Sequence, residues 1–432
     1  MKKSDWAEKR MEAKLQQRRE KGTLRRLPAA SVQDQSTSDT RSSTTTNVPI
    51  DFSSNDYLGL SQSLAQAKRV QQLYDEADSS CPTSSNPRTL GATGSRLLSG
   101  DTAAAHQLEA YLAALHQQPA ALLCNSGYDA NLCVVSSLAC DVIIYDEYSH
   151  NSLHMAMRFW QSRQDNNRTL VGFRHNDMKE LQDKLDMHCR NDAAVVVVVE
   201  SVYSMDGDCA PLGQVLDQAS AHGARVVVDE AHGLGACGPT GLLAALGLHH
   251  HPALLATVYT FGKAAGCHGA VITGSRTLKE YLVNFAYPFI YSTALPRHSL
   301  CTIRASYETM TSSVGDSLRA RLQHHIQFFQ REMQSKVKVH PEWQVSLIPS
   351  TTAIQALVVP GNDRCSQFCE KIWQASNRQV RLFPIKSPTV PAGMERVRVV
   401  LHAHNTKEEI QMLIHLLCSC LEEEQSRMRS KL

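Results

Sequence analysis

The chain has 432 residues, with 44 Lys and Arg against 42 Asp and Glu. That is long enough for two or three lobes around a large core. A formal charge of +2 with no basic stripe interleaved with aromatics excludes an electrostatic nucleic-acid partner. No apolar run approaches the roughly 20 residues of a membrane helix, so no membrane span is expected.

Taken in chain order, residues 1–27 read as an amphipathic helix. Residues 30–48, rich in Ser, Thr, Asp and Gln without apolar periodicity, read as a flexible linker. The N-terminal helix and linker together cover residues 1–50. A strand-and-helix rhythm follows. Apolar, β-branched runs stand at Asp141–Tyr145, Ala194–Glu200, Arg225–Asp229, Leu254–Thr260 and Ala270–Thr273, with Ala120–Cys124 ahead of them. Continuous Val/Ile runs mark strands buried on both faces, so the expected fold class is α/β, a mainly parallel sheet covered by helices. This large domain is expected over residues 51–299. Beyond it a polar helix near 313–337, short strands at Thr352–Val359 and Arg396–Leu401, and a last helix over Lys407–Glu424 predict a smaller C-terminal α+β domain over 300–432. The 13 cysteines, an odd number without a CxxC pair or a secretory leader, point to reduced thiols.

The residues that carry chemistry sit at the ends of the predicted strands, where ligand groups of open α/β sheets gather. Val226–Val228 delivers Asp229 and, three residues on, His232. Leu254–Thr260 delivers Thr260 and then Lys263 in T-F-G-K. A buried acid, an imidazole and a lysine on a glycine turn are what a pyridoxal phosphate (PLP) site requires: the lysine forms the Schiff base and the acid holds the pyridinium nitrogen protonated. An aspartate capping a helix and a solvated lysine are the plain alternatives for either residue alone. Asn125–Tyr128 after a strand can form an anion nest at a helix start, with Gly127 and Tyr128 as amide donors. His150 after Asp141–Tyr145 can stack on an aromatic ring, and the hydroxyls of Ser201 and Ser204 can meet one. His249–His251 reads as a surface turn, because consecutive side chains cannot converge on one ion; no metal is expected.

Together these motifs resemble the α-oxoamine synthase family of PLP-dependent enzymes, which has PLP fold type I. The likeness begins with R-R-x-x-x-x-L-R-R at Arg18–Arg26 and D-F-S-S-N-D-Y-L-G-L at Asp51–Leu60. It continues through G-S-R-L-L-S-G at Gly94–Gly100, F-R-H-N-D at Phe173–Asp177 and S-M-D-G-D at Ser204–Asp208. D-E-A-H-G, T-F-G-K and F-I-Y-S-T-A-L-P at Phe289–Pro296 complete it. The resemblance implies that Lys263 is the Schiff-base lysine, Asp229 the partner of the pyridine nitrogen and His232 a contact of the 3′ oxygen. It places His150 on one ring face and Ala231 on the other. Gly127, Tyr128 and Thr260 would hold the phosphate, with Thr293 reaching it from a second subunit of a homodimer. Arg398 matches the family's substrate-carboxylate arginine and Asn55 a residue close to the substrate; Arg25 and Lys386 bear on the acyl carboxylate. P-T-V-P at Pro388–Pro391 is shared with 5-aminolevulinate synthases, and the Arg18–Arg26 pattern with S-T-T-A-I-Q at Ser350–Gln355 brings the likeness closest to the biotin-pathway members, which condense L-alanine with pimeloyl-CoA or another pimeloyl thioester. Glycine with succinyl-CoA or acetyl-CoA, serine with a fatty acyl-CoA, and a non-catalytic scaffold subunit remain the alternatives. Lys386 departs from the arginine common in bacterial members, and lysine offers a point charge rather than a bidentate fork.

The C-terminal Ser430-Lys431-Leu432 reads as a peroxisomal address for an import receptor; localisation is otherwise expected to be cytoplasmic.

Overall fold

The computed structural model describes residues 6–24, 49–79, 90–162, 168–336 and 345–429. The expected linker at 30–48, Arg25 and Ser430–Leu432 lie outside the described residues.

Seven strands form the large sheet: β1 (Ala120–Cys124), β2 (Val142–Asp146), β3 (Thr169–Phe173), β4 (Val195–Glu200), β5 (Arg225–Asp229), β6 (Leu254–Thr260) and β7 (Ala270–Gly274). Their spatial order is β1-β7-β6-β5-β4-β2-β3. β3, β2, β4, β5 and β6 pair in parallel. β7 is antiparallel to both β6 and β1. Helices cover both faces, and the valine runs show why the strands lack polar alternation. Successive side chains of a strand point to opposite faces. Val196, Val198 and Val227 enter one core cluster with Leu153, Met157 and Trp160. Val195, Val197, Val199, Val226 and Val228 enter another with Leu181, Leu185, Val215 and Leu216. Both faces are thus dry, as the mainly parallel sheet requires.

The C-terminal part holds a four-stranded antiparallel sheet, in the order β10 (Phe383–Ile385), β11 (Arg396–Val400), β9 (Ile354–Val358) and β8 (Ser346–Ile348). The helices Ser313–Lys336, Asn362–Ala375 and Lys407–Arg429 accompany it. The stretch around residues 50–58 is bonded to this part: the Val400 amide donates to Phe52 O at 2.8 Å, and the Ala403 amide to Tyr57 O at 2.8 Å. That stitching carries Asn55 and Tyr57 to the seam between the two sheets.

The structure departs from two expectations. The helix Trp6–Glu20 buries none of its side chains. Its large apolar residues Trp6, Met11 and Leu15 are all exposed; Met11 and Leu15 share one side, but Trp6 lies on nearly the opposite one, so they form no continuous stripe of an amphipathic helix. β3 was not expected. It lies at the sheet edge and is only half covered, so its sequence lacks the continuous apolar run of the inner strands. No described helix is long and apolar enough to cross a membrane, and every described cysteine is free.

Candidate active site

Parallel pairing brings the carboxyl ends of β2, β4, β5 and β6 to one edge, and β1 joins them through the antiparallel β7. That edge therefore collects Asn125–Tyr128, Asp146, Glu200, Asp229 and Thr260, with Lys263 on the turn between β6 and β7.

Asp229 is buried at 4% exposure. Its Oδ2 accepts from Asn131 Nδ2 at 2.7 Å, and its Oδ1 accepts from the Ala231 amide at 2.8 Å. Asn131 lies one helical turn beyond Gly127, and its Nδ2 also donates to Ser152 Oγ at 2.9 Å. Ser152 Oγ stands 2.8 Å from His150 Nδ1. One amide thus links the acid, through Ser152, to His150. Glu200 is buried below His150 and accepts its backbone N–H. Desolvation, reinforced by the charge of Asp229, pushes the Glu200 carboxyl well above its usual range.

Lys263 Nζ lies 2.6 Å from His232 Nε2, and His232 Nδ1 lies 2.5 Å from the Tyr57 hydroxyl. Desolvation lowers His232 well below the usual histidine range, with Lys263 and Arg398 adding to the effect. A neutral imidazole has one donor and one acceptor nitrogen. Nε2 accepts from Lys263, so Nδ1–H donates to Tyr57. Tyr57 in turn donates to Asn55 Oδ1 at 3.2 Å, which also accepts from Arg398 Nη2 at 2.9 Å. Arg398 Nε donates to Ser204 O at 2.8 Å. A single run of hydrogen bonds therefore links Lys263, His232, Tyr57, Asn55, Arg398 and Ser204. Desolvation, opposed by Asp229 and Glu200, pushes Lys263 down to about 8, so the neutral, nucleophilic amine is far more populated near neutral pH than for a free lysine.

The Ser126 hydroxyl caps the helix Gly127–Val135, accepting from the Asp129 amide at 3.1 Å. The first-turn amides of such a helix lack intrahelical acceptors and face outward. A Cβ at Gly127 would stand 1.9 Å from Thr260 Oγ1, so only glycine lets this cradle form against the end of β6. These residues fit PLP: amides and a hydroxyl for its phosphate, a buried carboxylate for its ring nitrogen, and an amine of lowered pKa for its aldehyde. His150 and Ser204 line an adjoining cavity of about 930 Å³ together with Tyr148, Ser387–Pro391 and Arg396.

Of the residues expected from sequence, His150, Asp229, Ala231, His232, Lys263, Gly127, Thr260, Ser204, Asn55 and Arg398 assemble around this edge. Tyr128 lies on the cavity wall. Thr293 lies at the rim, its carbonyl accepting from Asn125 Nδ2 at 2.8 Å. Lys386 is not among the residues lining the cavity, whereas Ser387 is; the Lys386 carbonyl accepts from the Thr389 amide at 2.8 Å and shapes that loop. Arg25 lies outside the described residues. Tyr57, Asn131 and Glu200 join the site with no role foreseen for them. The i, i+4 spacing of Gly127 and Asn131 was the available signal for Asn131. His250 and His251 turn to separate partners, Gln117 and Asp217, as a surface turn requires. Among the described residues two trios, Asp51, His402, His404 and His175, Asp206, Asp208, bring ligand-type atoms within 4.8 Å of one another.

The aminotransferase class I and II profile matches residues 47–417. The chain is 35% identical over 389 residues, 86% of its length and 89% of the relative's, to a protein of Emericella nidulans named 8-amino-7-oxononanoate synthase. Among solved structures, SPT (serine palmitoyltransferase) with a PLP internal aldimine superposes with a TM-score of 0.73 at 26% identity, covering 86% of this chain and 87% of that one. The 8-amino-7-oxononanoate synthase of Francisella tularensis superposes with a TM-score of 0.68 at 25% identity, covering 87% and 99%. With a lysine, an acid and an anion cradle gathered at one sheet edge, and with these likenesses over most of its length, the chain belongs to the aminotransferase class I and II family and is a PLP-dependent acyltransferase.

Proposed function

We propose that the chain condenses L-alanine with a pimeloyl thioester to give 8-amino-7-oxononanoate, the free thiol and CO2, a step of biotin synthesis. The observation that carries the reading is the pairing of Lys263 with His232 beside Asp229, at the sheet edge whose His150 and Ser204 line a cavity together with Ser387–Pro391. The 35% identity to the relative of that name supports the choice of substrates. When bound, PLP supplies an electron sink for negative charge at the amino acid's Cα.

The chain's own residues do the rest. Asp229 would hold the proton on the ring nitrogen, and Asn131 and the Ala231 amide hold Asp229. Arg398, with Nε and Nη2 already committed to Ser204 and Asn55, presents its remaining edge to the alanine carboxylate. Lys263 Nζ takes the Cα proton and later returns one, and its lowered pKa suits both roles. His150 would cover the ring face and exclude water from it. The large cavity receives the acyl thioester.

Condensation of serine with a fatty acyl thioester is the second reading, favoured by the SPT superposition. Thiol release is the test. Alanine with pimeloyl-CoA is expected to outrun glycine with succinyl-CoA and serine with palmitoyl-CoA, and faster turnover of either competing pair would defeat the assignment.

The active unit we infer is a homodimer. Leu98 and Tyr291 are 81% and 78% exposed, and they flank Thr293 on two loops joined by the bond from the Ala294 amide to Gly94 O at 2.9 Å. A monomer in sedimentation equilibrium at micromolar concentration would contradict it. Ser430-Lys431-Leu432 is proposed as a peroxisomal import signal; unchanged punctate distribution of a tagged copy lacking Leu432 would refute that.

A further inference from the structure

His175, in F-R-H-N-D, belongs to none of the roles above, yet it is one of the most constrained side chains of the molecule. Its Nδ1 lies 3.0 and 3.2 Å from the two carboxylate oxygens of Asp146, and its Nε2 lies 2.8 Å from Asp208 Oδ2. Ionised carboxylates only accept, so both ring nitrogens donate and the ring is an imidazolium. The ring stacks on Tyr148, with centroids 4.3 Å apart, and meets Tyr203 edge-on at 4.4 Å. Asn176 repeats the bridge, its amide donating to Asp146 Oδ2 at 2.9 Å and its Nδ2 to Asp208 Oδ2 at 2.7 Å.

The two carboxylates belong to different loops of the site. Asp146 ends β2, where its Oδ1 accepts from the Tyr148 amide at 2.8 Å and its carbonyl from the Ser149 amide at 3.0 Å; His150 is the next residue. Asp208 closes the S-M-D-G-D turn, its carbonyl accepting from the Tyr203 amide at 3.0 Å. That turn presents Ser204 O to Arg398. Its Gly207, at φ +73°, packs where a Cβ would stand 2.2 Å from Ile354 O of β9. Ser350 and Thr352 each donate a hydroxyl to Gly207 O at 2.8 Å. The turn is thus fastened to the small sheet on one side and to His175 on the other.

We propose that His175 is a positioning residue. It cross-links the loop carrying His150 to the turn that holds Arg398, and so sets the spacing between the residue covering the ring and the residue taking the substrate carboxylate. The anions facing it are Asp146 from β2 and Asp206 and Asp208 from the turn, with Tyr148 and Tyr203 as neutral walls. The nearby cation, Arg396 of β11, is engaged by Asp206. Burial works against its charge, but Asp146 and Asp208 outweigh burial and push His175 up to about 9. The cross-link is therefore intact at neutral pH.

The inference rests on His150 and Arg398 facing cofactor and substrate. His175→Gln keeps a donor but removes the charge and one of the two contacts. In the PLP-loaded full chain it is expected to lower kcat by up to about a hundredfold, as displacement of reacting groups by roughly 1 Å does. It is also expected to raise KM for the amino acid and to change the visible circular dichroism of the bound cofactor. A merely structural loss would lower the melting temperature and leave kcat, KM and that dichroism of the folded fraction unchanged, and this result would overturn the proposal. If His175→Gln does not fold, Asp208→Asn, which weakens the same bridge from its more exposed end, is read in the same way. His150→Ala serves as the control. Normal dichroism there defeats the placement of His150 on the ring, whereas normal dichroism and kinetics in His175→Gln alone defeat only the positioning role.

Discussion

Lys263→Ala is expected to lose activity by on the order of 10⁴-fold or more, because in the proposed scheme one side chain both anchors the cofactor and moves the Cα proton. The loss should fall on kcat. Arg398, which binds the substrate carboxylate in the proposed scheme, is held directly by Asn55 and Ser204 and touches Lys263 only through His232 and Tyr57, so substrate binding should change less than kcat. The visible absorption of the lysine-bound cofactor should vanish with it. His232 would then lose its 2.6 Å partner but remain neutral, since burial is the larger cause of its lowered pKa. Stopped-flow turnover and an absorption spectrum decide the matter: a variant within about tenfold of wild type would place the proton transfer on another residue.

Asp229→Asn is expected to cost about 10² to 10³ in kcat, the range for removing one preorganised electrostatic contact from a reacting centre. The carboxylate accepts from Asn131 Nδ2 and from the Ala231 amide. A carboxamide has one oxygen and one NH2 group, so it can accept from only one of those donors and must turn its own N–H toward the other or toward the ring nitrogen. The negative charge that favours a protonated pyridinium is lost in either orientation. The substitution is nearly isosteric, so the melting temperature of the cofactor-free protein should move far less than kcat. Wild-type kcat in Asp229→Asn would show that the ring nitrogen needs no charged partner here.

Sequence disclosed the inner sheet because Val195–Val199 and Val226–Val228 are buried on both faces and leave an uninterrupted apolar signature. Asp229 stands directly after such a run, His232 three residues further on, and Lys263 three residues after the end of β6. Edge and seam were harder to read. β3 is half exposed and carries Gly172, so its pattern resembles a loop. Tyr57 reaches His232 across 175 positions of sequence, and Asn131 reaches Asp229 across 98. Such pairings depend on which strands become neighbours, and local periodicity carries no trace of them.

The antiparallel placement of β7 has a consequence for assembly. β6, the turn with Lys263 and β7 form one local hairpin, which can close quickly because its ends are near in sequence. The acid, the amide that holds it and the anion cradle depend on pairings across long stretches of chain. The groups that would hold PLP meet only where β1 lies on β7 and β5 on β6. Retention of the cofactor accordingly marks a completed sheet, and by mass action it adds about 2.7 kcal/mol to the finished state at a hundred times its dissociation constant.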